Sequence, residues 1–278
     1  MGLHVKTLTN HPDLSSPLYG RLEVAPYNFD RPNDLAKSLK DVQTLYVTYW
    51  VRFPHKGVTF EKAVGNAITL FNAAREAGVH RIVYVSITNP SIDLPLPYFS
   101  GKARLEEALK ALGTSYAIIR PTVVFGTEDI LVNNIAWLLR KFPLFFVPGD
   151  GQYRIQPVYV EDLAQMVVEA GGQNASFTKD AVGPEAFSYD QLVRLIAEKV
   201  NSKARIVHAP PSLVLAAAKA LGFTLRDVLL TRDEIDGLMR GLLVSNEPPA
   251  CSTIFSQWLE GNKSRLGTRY ASEVARRR

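Results

Sequence analysis

The stretch RIVYVSITNPSIDLPLPYFSGKARLEEALKALGTSYAIIRPTVVFG, residues 81–126, decides the fold. It opens on RIVYVSIT (81–88), a short, apolar, β-branched run of the kind buried on both faces of a sheet. It closes on a second such run, SYAIIRPTVVFG (115–126). Between them PYFSGKARLEEAL (97–109) has the helical period: Tyr98, Lys102, Leu105, Leu109 and Leu112 step by four, three, four and three. Strand, helix, strand is the unit of a parallel sheet. The stripe also poses a chemical question. Its leucines belong in the core, so Tyr98 and Lys102 on the same face look into the protein or into a cleft. A lysine there needs a partner or a task.

Working outward, the same alternation fills the N-terminal half. Strands are expected at HVKTLT (4–9), RLEVAPYNF (21–29) and TLYVTYWV (44–51). Helices are expected at 31–41, carrying Leu35 and Leu39, and at 60–78, carrying Val64, Ala67, Phe71 and Ala74, with Gly78 ending the helix. Downstream, 129–142 reads as a helix with Ile130, Val132, Ile135 and Leu138 on one face. A turn-rich link and strand (148–160) and a helix at 161–171 return the chain to the sheet. From Gly183 the pattern is mainly helical, clearest at 188–200. The expected architecture is α/β: a Rossmann-like, doubly wound parallel sheet with a smaller, mainly helical C-terminal lobe. Residues 1–126 form the core, 156–182 return to it, and 127–155 with 183–278 form the lobe. Ligands of open α/β sheets bind at the C-terminal edge of the strands, under such a lobe.

Composition narrows the function classes. The 278 residues hold 32 Lys and Arg against 27 Asp and Glu, a net +5, and three of the positive charges are the final RRR. No basic stretch interleaves with aromatics, which argues against nucleic acid. One cysteine, Cys251, forms no internal disulfide, which suits a cytoplasmic protein. The five histidines are scattered without zinc-ligand spacing. No apolar run reaches membrane-spanning length. The nearest, SLVLAAAKALGF (212–223), contains Lys219 and reads as a buried or groove-lining helix. The first residues lack the apolar core of a signal peptide.

These pieces together resemble the short-chain dehydrogenase/reductase superfamily, in its extended and atypical branches. The resemblance covers nearly the whole chain. It rests on YFSGK, the strand ending RPTVVFG, QPVYVEDLA (156–164), GPEAFSYDQLVRLIAE (183–198) and LGTRYASEV (266–274), in that order. One departure stands out. Such sheets begin with a strand and a glycine-rich turn into a helix, where backbone N–H groups meet the cofactor's pyrophosphate. No such turn is present. HVKTLT resembles the family's second strand and Gly2 the loop before it, so the polypeptide is expected to start late and to leave a strand edge exposed, an association hazard.

The resemblance implies NAD(P) as cofactor and assigns roles. Tyr98 is the general acid/base, and Lys102 lowers its pKa and holds the nicotinamide ribose. A free phenol titrates near pH 10, roughly three units too high for a base at neutrality, and a nearby ammonium favours the phenolate. The same spacing also fits Tyr98 packing its ring while Lys102 snorkels. Thr88 or Ser86 supplies the hydroxyl that fixes the substrate oxygen; Thr88 reads equally as an ordinary strand residue. Thr9 and Asn10 end the first strand, where the adenosine ribose is read. They offer neither the acid of an NAD site nor the arginine of an NADP site, so the preference between the two stays open. Phe29 and Asp30 correspond to the adenine contacts, with Asp30 alternatively a helix N-cap. Thr48 and Tyr49 pass the pyrophosphate, and Pro121, Thr122 and Val123 wall the nicotinamide. Trp50, Asn89, Phe125, Asn133 and Asn134 line the substrate pocket.

The implied reaction is hydride transfer at a carbonyl or alcohol carbon of a small organic substrate, or epimerisation through a keto intermediate. Two non-catalytic alternatives resemble the chain as well. One is an NAD(P)H-binding accessory or assembly protein like the Rossmann-fold accessory subunit of respiratory complex I. The other is a dinucleotide-sensing regulator that binds a protein partner.

Overall fold

A computed structural model describes residues 4–14, 16–18 and 20–275. Gly2 and the three terminal arginines, Arg276–Arg278, lie outside the described residues. In chain order the elements are β1 (Lys6–Leu8), β2 (Glu23–Ala25), α1 (Pro32–Ser38), β3 (Thr44–Val47), α2 (Phe60–Glu76), β4 (Arg81–Val85), α3 (Pro97–Lys110), β5 (Ser115–Pro121) and β6 (Val123–Phe125). Then follow α4 (Leu131–Lys141), β7 (Leu144–Pro148), β8 (Arg154–Ile155), β9 (Pro157–Tyr159), α5 (Val160–Gly171), β10 (Phe177–Ala181) and β11 (Phe187–Ser188). The last are α6 (Tyr189–Lys199), β12 (Arg205–Ala209), α7 (Pro211–Leu225), α8 (Arg232–Met239) and α9 (Phe255–Asn262).

The centre is a four-stranded parallel sheet in the order β10-β5-β4-β3. Side chains alternate across it with the period of two that a strand imposes. Ile82, Tyr84 and Ile118 face α1, α2 and α3, where Leu35, Leu70, Phe71, Leu105 and Leu109 meet them. Val83, Ala117 and Ile119 face the other side, against Leu163, Val167 and Ala170 of α5. Helices on both faces of a parallel sheet make this a Rossmann-like α/β fold. α2 starts where the Thr59 side chain accepts the N–H of Lys62 (3.1 Å) and stops at Gly78, whose φ of +78° a side chain would strain. α3 starts on Pro97, whose missing N–H costs nothing in a first turn. A second apolar cluster builds the lobe from α4, β7, α6, α8 and α9, around Ile135, Phe145, Leu192 and Phe255.

Several elements differ from expectation. The strand expected at 21–29 shrinks to β2, because the aromatic rings beyond it stack on each other: Tyr27 and Phe29 lie 4.8 Å apart. The run 115–126 breaks at Thr122. β5 stays in the main sheet, while β6 pairs with β9 instead. β1 and β2 pair only with each other among the described residues, so β1 and β3 each keep an edge without a strand partner. Leu8 nonetheless packs on the same cluster as Leu45 and Val47 of β3. α7 is groove-lining on one face only. Val214 is buried, whereas Leu213 and Phe223 are exposed, Phe223 at 89%. No helix of the described residues is long and apolar enough to cross a membrane.

Candidate functional site

The segments leaving the C-terminal ends of β3, β4 and β5 meet the first turn of α3. Here the stripe read from the sequence turns inward. Leu105 and Leu109 are fully buried, Lys102 is 3% exposed and Tyr98 is half-buried. Lys102 Nζ donates to the carbonyl of Val85 at 2.8 Å. Its ammonium also lies 4.9 Å from the ring centres of both Trp50 and Tyr84. Burial pushes the Lys102 pKa down to about 7, against the opposing pull of Glu106.

Trp50 is the lid over this lysine. Its indole stacks on Phe60 at 6.0 Å and meets Tyr98 edge-on at 5.6 Å. It presses on Gly101, where an added Cβ would come within 2.8 Å of the ring. Its Nε1 is buried without a hydrogen-bond partner. The Tyr98 phenol is pushed up to about 12, by burial first and by the Glu234 charge next, with Arg52 opposing and Glu273 adding. Its pKa therefore moves away from the range a general base needs.

The hydroxyls expected to complete the site point elsewhere. Ser86 donates to Glu106 Oε1 at 2.6 Å, and Thr88, fully buried, donates to Asp180 Oδ2 at 3.4 Å. Asn89 adopts φ +50° and donates to the carbonyls of Leu242 and Val244 (3.1 and 2.6 Å), in a separate shallow depression. Asn133 and Asn134 spend their amides on the chain after α9, donating to the carbonyls of Arg269 and Ala271, both at 2.9 Å. Phe125 is fully buried among Tyr159, Phe255 and Trp258 and contributes only part of a cavity wall.

At the expected adenosine end, Asn10 Oδ1 accepts the N–H of Tyr27 (2.9 Å), and Thr9 Oγ1 accepts that of His11 (3.1 Å). Phe29 is held between Tyr27 and Tyr49, and the Tyr49 hydroxyl accepts from Asn66 at 2.8 Å. Asp30 is exposed and does not cap α1, whose N-cap is Arg31 without a side-chain bond. Thr48 is exposed. Pro121, Thr122 and Val123 are buried, the first two by the strand exit itself: the Pro121 carbonyl accepts from Thr88 N–H and Thr122 N–H donates to Ala181.

As they stand, the residues expected at the nicotinamide end are bonded within the protein: Lys102 to the Val85 carbonyl, Ser86 to Glu106 and Thr88 to Asp180. The lysine that would hold the ribose is sealed under Trp50. Among the described residues no group of three His, Cys, Asp or Glu is placed to hold a metal.

Two polar hubs escaped the sequence reading. Glu106, 2% exposed, takes a two-pronged bond from Arg120 (2.9 and 2.5 Å) besides the Ser86 hydroxyl. The sequence did carry its signal: Glu106 lies one turn beyond Lys102 on the same helix face. Arg52, after β3, binds Glu234 of α8 (2.5 Å), Glu273 (3.5 Å) and the carbonyl of Leu229 (3.1 Å), closing the lobe over the strand ends. Nothing local in the sequence announces those partners.

Known proteins resemble this chain along most of its length. The model of the NmrA-like family matches residues 21–237. Subunit 9 of the NADH dehydrogenase [ubiquinone] 1 alpha subcomplex of Arabidopsis thaliana is 26% identical over 240 residues, 81% of this chain and 60% of that protein. The 40 kDa subunit of NADH-ubiquinone oxidoreductase of Neurospora crassa is 22% identical over 220 residues, 78% of this chain and 58% of that protein. The chain thus spans well under two thirds of either relative. Among solved structures, an NADPH-dependent quinone oxidoreductase of Escherichia coli, complexed with NADPH, superimposes with a TM-score of 0.72 at 19% identity, covering 95% of this chain and 90% of that one. The order of strands, the tyrosine–lysine turn of α3 and the family match over 21–237 agree: this chain belongs to the NmrA-like family, on the NAD(P)-binding Rossmann-like fold of the atypical short-chain dehydrogenases/reductases.

Proposed function

We propose that the protein is a non-catalytic accessory or assembly factor of a membrane-bound electron-transfer complex, which uses the dinucleotide fold as a scaffold for a protein partner. The observation that carries this reading is the sealing of Lys102, 3% exposed, bonded to the Val85 carbonyl and capped by Trp50. Hydride transfer at a carbonyl, or epimerisation through a keto intermediate, requires three things of these residues. Lys102 must reach a ribose, Tyr98 must ionise near neutrality, and Ser86 or Thr88 must meet a substrate oxygen. Here the lysine is covered, the phenol is raised to about 12, and both hydroxyls are bonded to carboxylates, Glu106 buried and Asp180 half-buried. The two complex I subunits among the relatives support the accessory role, by likeness over most of this chain.

The test is steady-state oxidation of NADPH and NADH by the purified chain, with short-chain quinones, aldehydes and ketones as acceptors. We expect wild type and Tyr98→Phe to run alike, at the uncatalysed background. Turnover by the wild type that Tyr98→Phe abolishes would overturn the reading and restore Tyr98 as an acid/base.

A further inference from the structure

A cavity of about 1430 Å³ opens between the sheet's C-terminal edge and the lobe. That exceeds the roughly 300–1,000 Å³ of a site for a compact, drug-sized molecule. Its walls are hydrocarbon: Phe125, Ile135 and Leu138 on one side, Phe145, Val214 and Leu221 on the other. Ala217 and Ala218, on the inner face of α7, keep the middle wide.

The polar groups have a definite sign. Arg52 is the one cationic side chain among the lining residues, against six carboxylates, Glu234 and Glu273 among them. The guanidinium is already engaged by those two and by the Leu229 carbonyl. Among the described lining residues an anionic head group would therefore meet more carboxylates than cations, and the one guanidinium is already engaged. Tyr98 also lines the cavity, and its hydroxyl is a neutral donor and acceptor for an uncharged head group.

The approach to the cavity is apolar too. Leu131 and Leu144 line it and are 38% and 44% exposed. The outer face of α7 continues this surface. Leu213, Ala216 and Phe223 recur at helical spacing and are all exposed. A soluble polar substrate gains nothing from such a rim, whereas a hydrocarbon chain moves along it without meeting water.

We propose that this cavity binds a neutral long-chain lipid, an acyl-type or isoprenoid chain ending in a small uncharged head. The inference goes beyond the accessory role and does not depend on it. Binding would be read by displacement of the dye Nile red from the full chain. The competitors are 1-alkanols from octanol to hexadecanol, the isoprenoid alcohols farnesol and geranylgeraniol, and dodecanoate.

Affinity should tighten about fourfold per added methylene until the cavity is filled. Dodecanol should displace the dye at a concentration at least about tenfold lower than dodecanoate does. Ala218→Trp, which projects an indole into the middle of the cavity, should weaken the alkanols by about tenfold or more with an unchanged circular dichroism spectrum. Should that variant misfold, Ala217→Leu should shift the optimum to shorter chains. Val168→Ser, on the exposed face of α5 and outside the cavity lining, should leave displacement unchanged. A preference between alkanols and isoprenoids of equal carbon count assigns the source of the chain, and parity assigns a general hydrocarbon site. Affinity independent of chain length, dodecanoate binding as tightly as dodecanol, or displacement unmoved in both cavity variants would each overturn the proposal.

Discussion

Glu106→Ala is expected to destabilise the protein by about 3–5 kcal/mol, the usual cost of removing one partner of a buried ion pair. Glu106 is 2% exposed and satisfies three donors at once: two from Arg120 and the Ser86 hydroxyl. Its loss leaves Ser86 buried without that acceptor and the half-buried Arg120 with only the attraction of Asp180 to offset its charge. It also removes the nearest anion to Lys102, the one group that resists the fall of that ammonium's pKa. For a chain of this size the thermal midpoint should drop by roughly 10 °C. Thermal and urea unfolding by circular dichroism measure both quantities. The double variant Glu106→Leu with Arg120→Met should recover most of the loss, since the penalty lies in the unpaired charge rather than in the absence of a pair. A cost under about 1 kcal/mol for Glu106→Ala would show that Arg120 and Ser86 find water instead, and that α3 and β5 are not locked by this contact.

Lys102→Met should act in the opposite direction. Burial depresses the lysine from its ordinary value to about 7, so between about pH 7 and pH 10.5 the folded chain holds fewer protons than the unfolded one. Stability then rises with pH through that window, by up to about 1.4 kcal/mol per unit, and the penalty of the buried charge is fully present below pH 7. Methionine removes the charge but forfeits the bond to the Val85 carbonyl and the contacts with two rings. The net expectation is a gain of about 2 kcal/mol at pH 7 that falls to zero at about pH 8.5 and becomes a loss of about 1–2 kcal/mol by about pH 10. Urea midpoints of both proteins from pH 6 to pH 10 decide it. A variant that is less stable at pH 7, or a difference that does not change with pH, would mean that the ammonium is solvated in the folded state.

Both predictions concern one helix face, and that face was legible from the sequence. The four-and-three stepping from Tyr98 to Leu112 places the lysine inward, and the apolar runs at 81–88 and 115–126 place it beside two central strands. The tyrosine–lysine spacing did not carry the third dimension. Whether Lys102 meets a ribose or a ring depends on Trp50, which arrives from the loop after β3. Lengths of short strands were similarly hidden. β10 reads FTKDA, too polar to announce itself, and exists because β5 offers it a parallel partner. Asn133 and Asn134 lie on the expected helix, but their acceptors are residues 269 and 271, far along the chain. Long-range polar contacts of this kind leave no periodic trace in a sequence.

The central claim is that this chain keeps the dinucleotide fold while its nicotinamide end is closed over Lys102. Titration of the purified chain with NADPH and with NADH, followed by tryptophan fluorescence and checked by equilibrium dialysis, tests it most directly. With Lys102 covered, neither dinucleotide should bind saturably up to about 1 mM, a free energy weaker than roughly −4 kcal/mol. Saturable binding at micromolar concentration, lost in Lys102→Met, would contradict it and would show that Trp50 swings off the lysine to admit the cofactor.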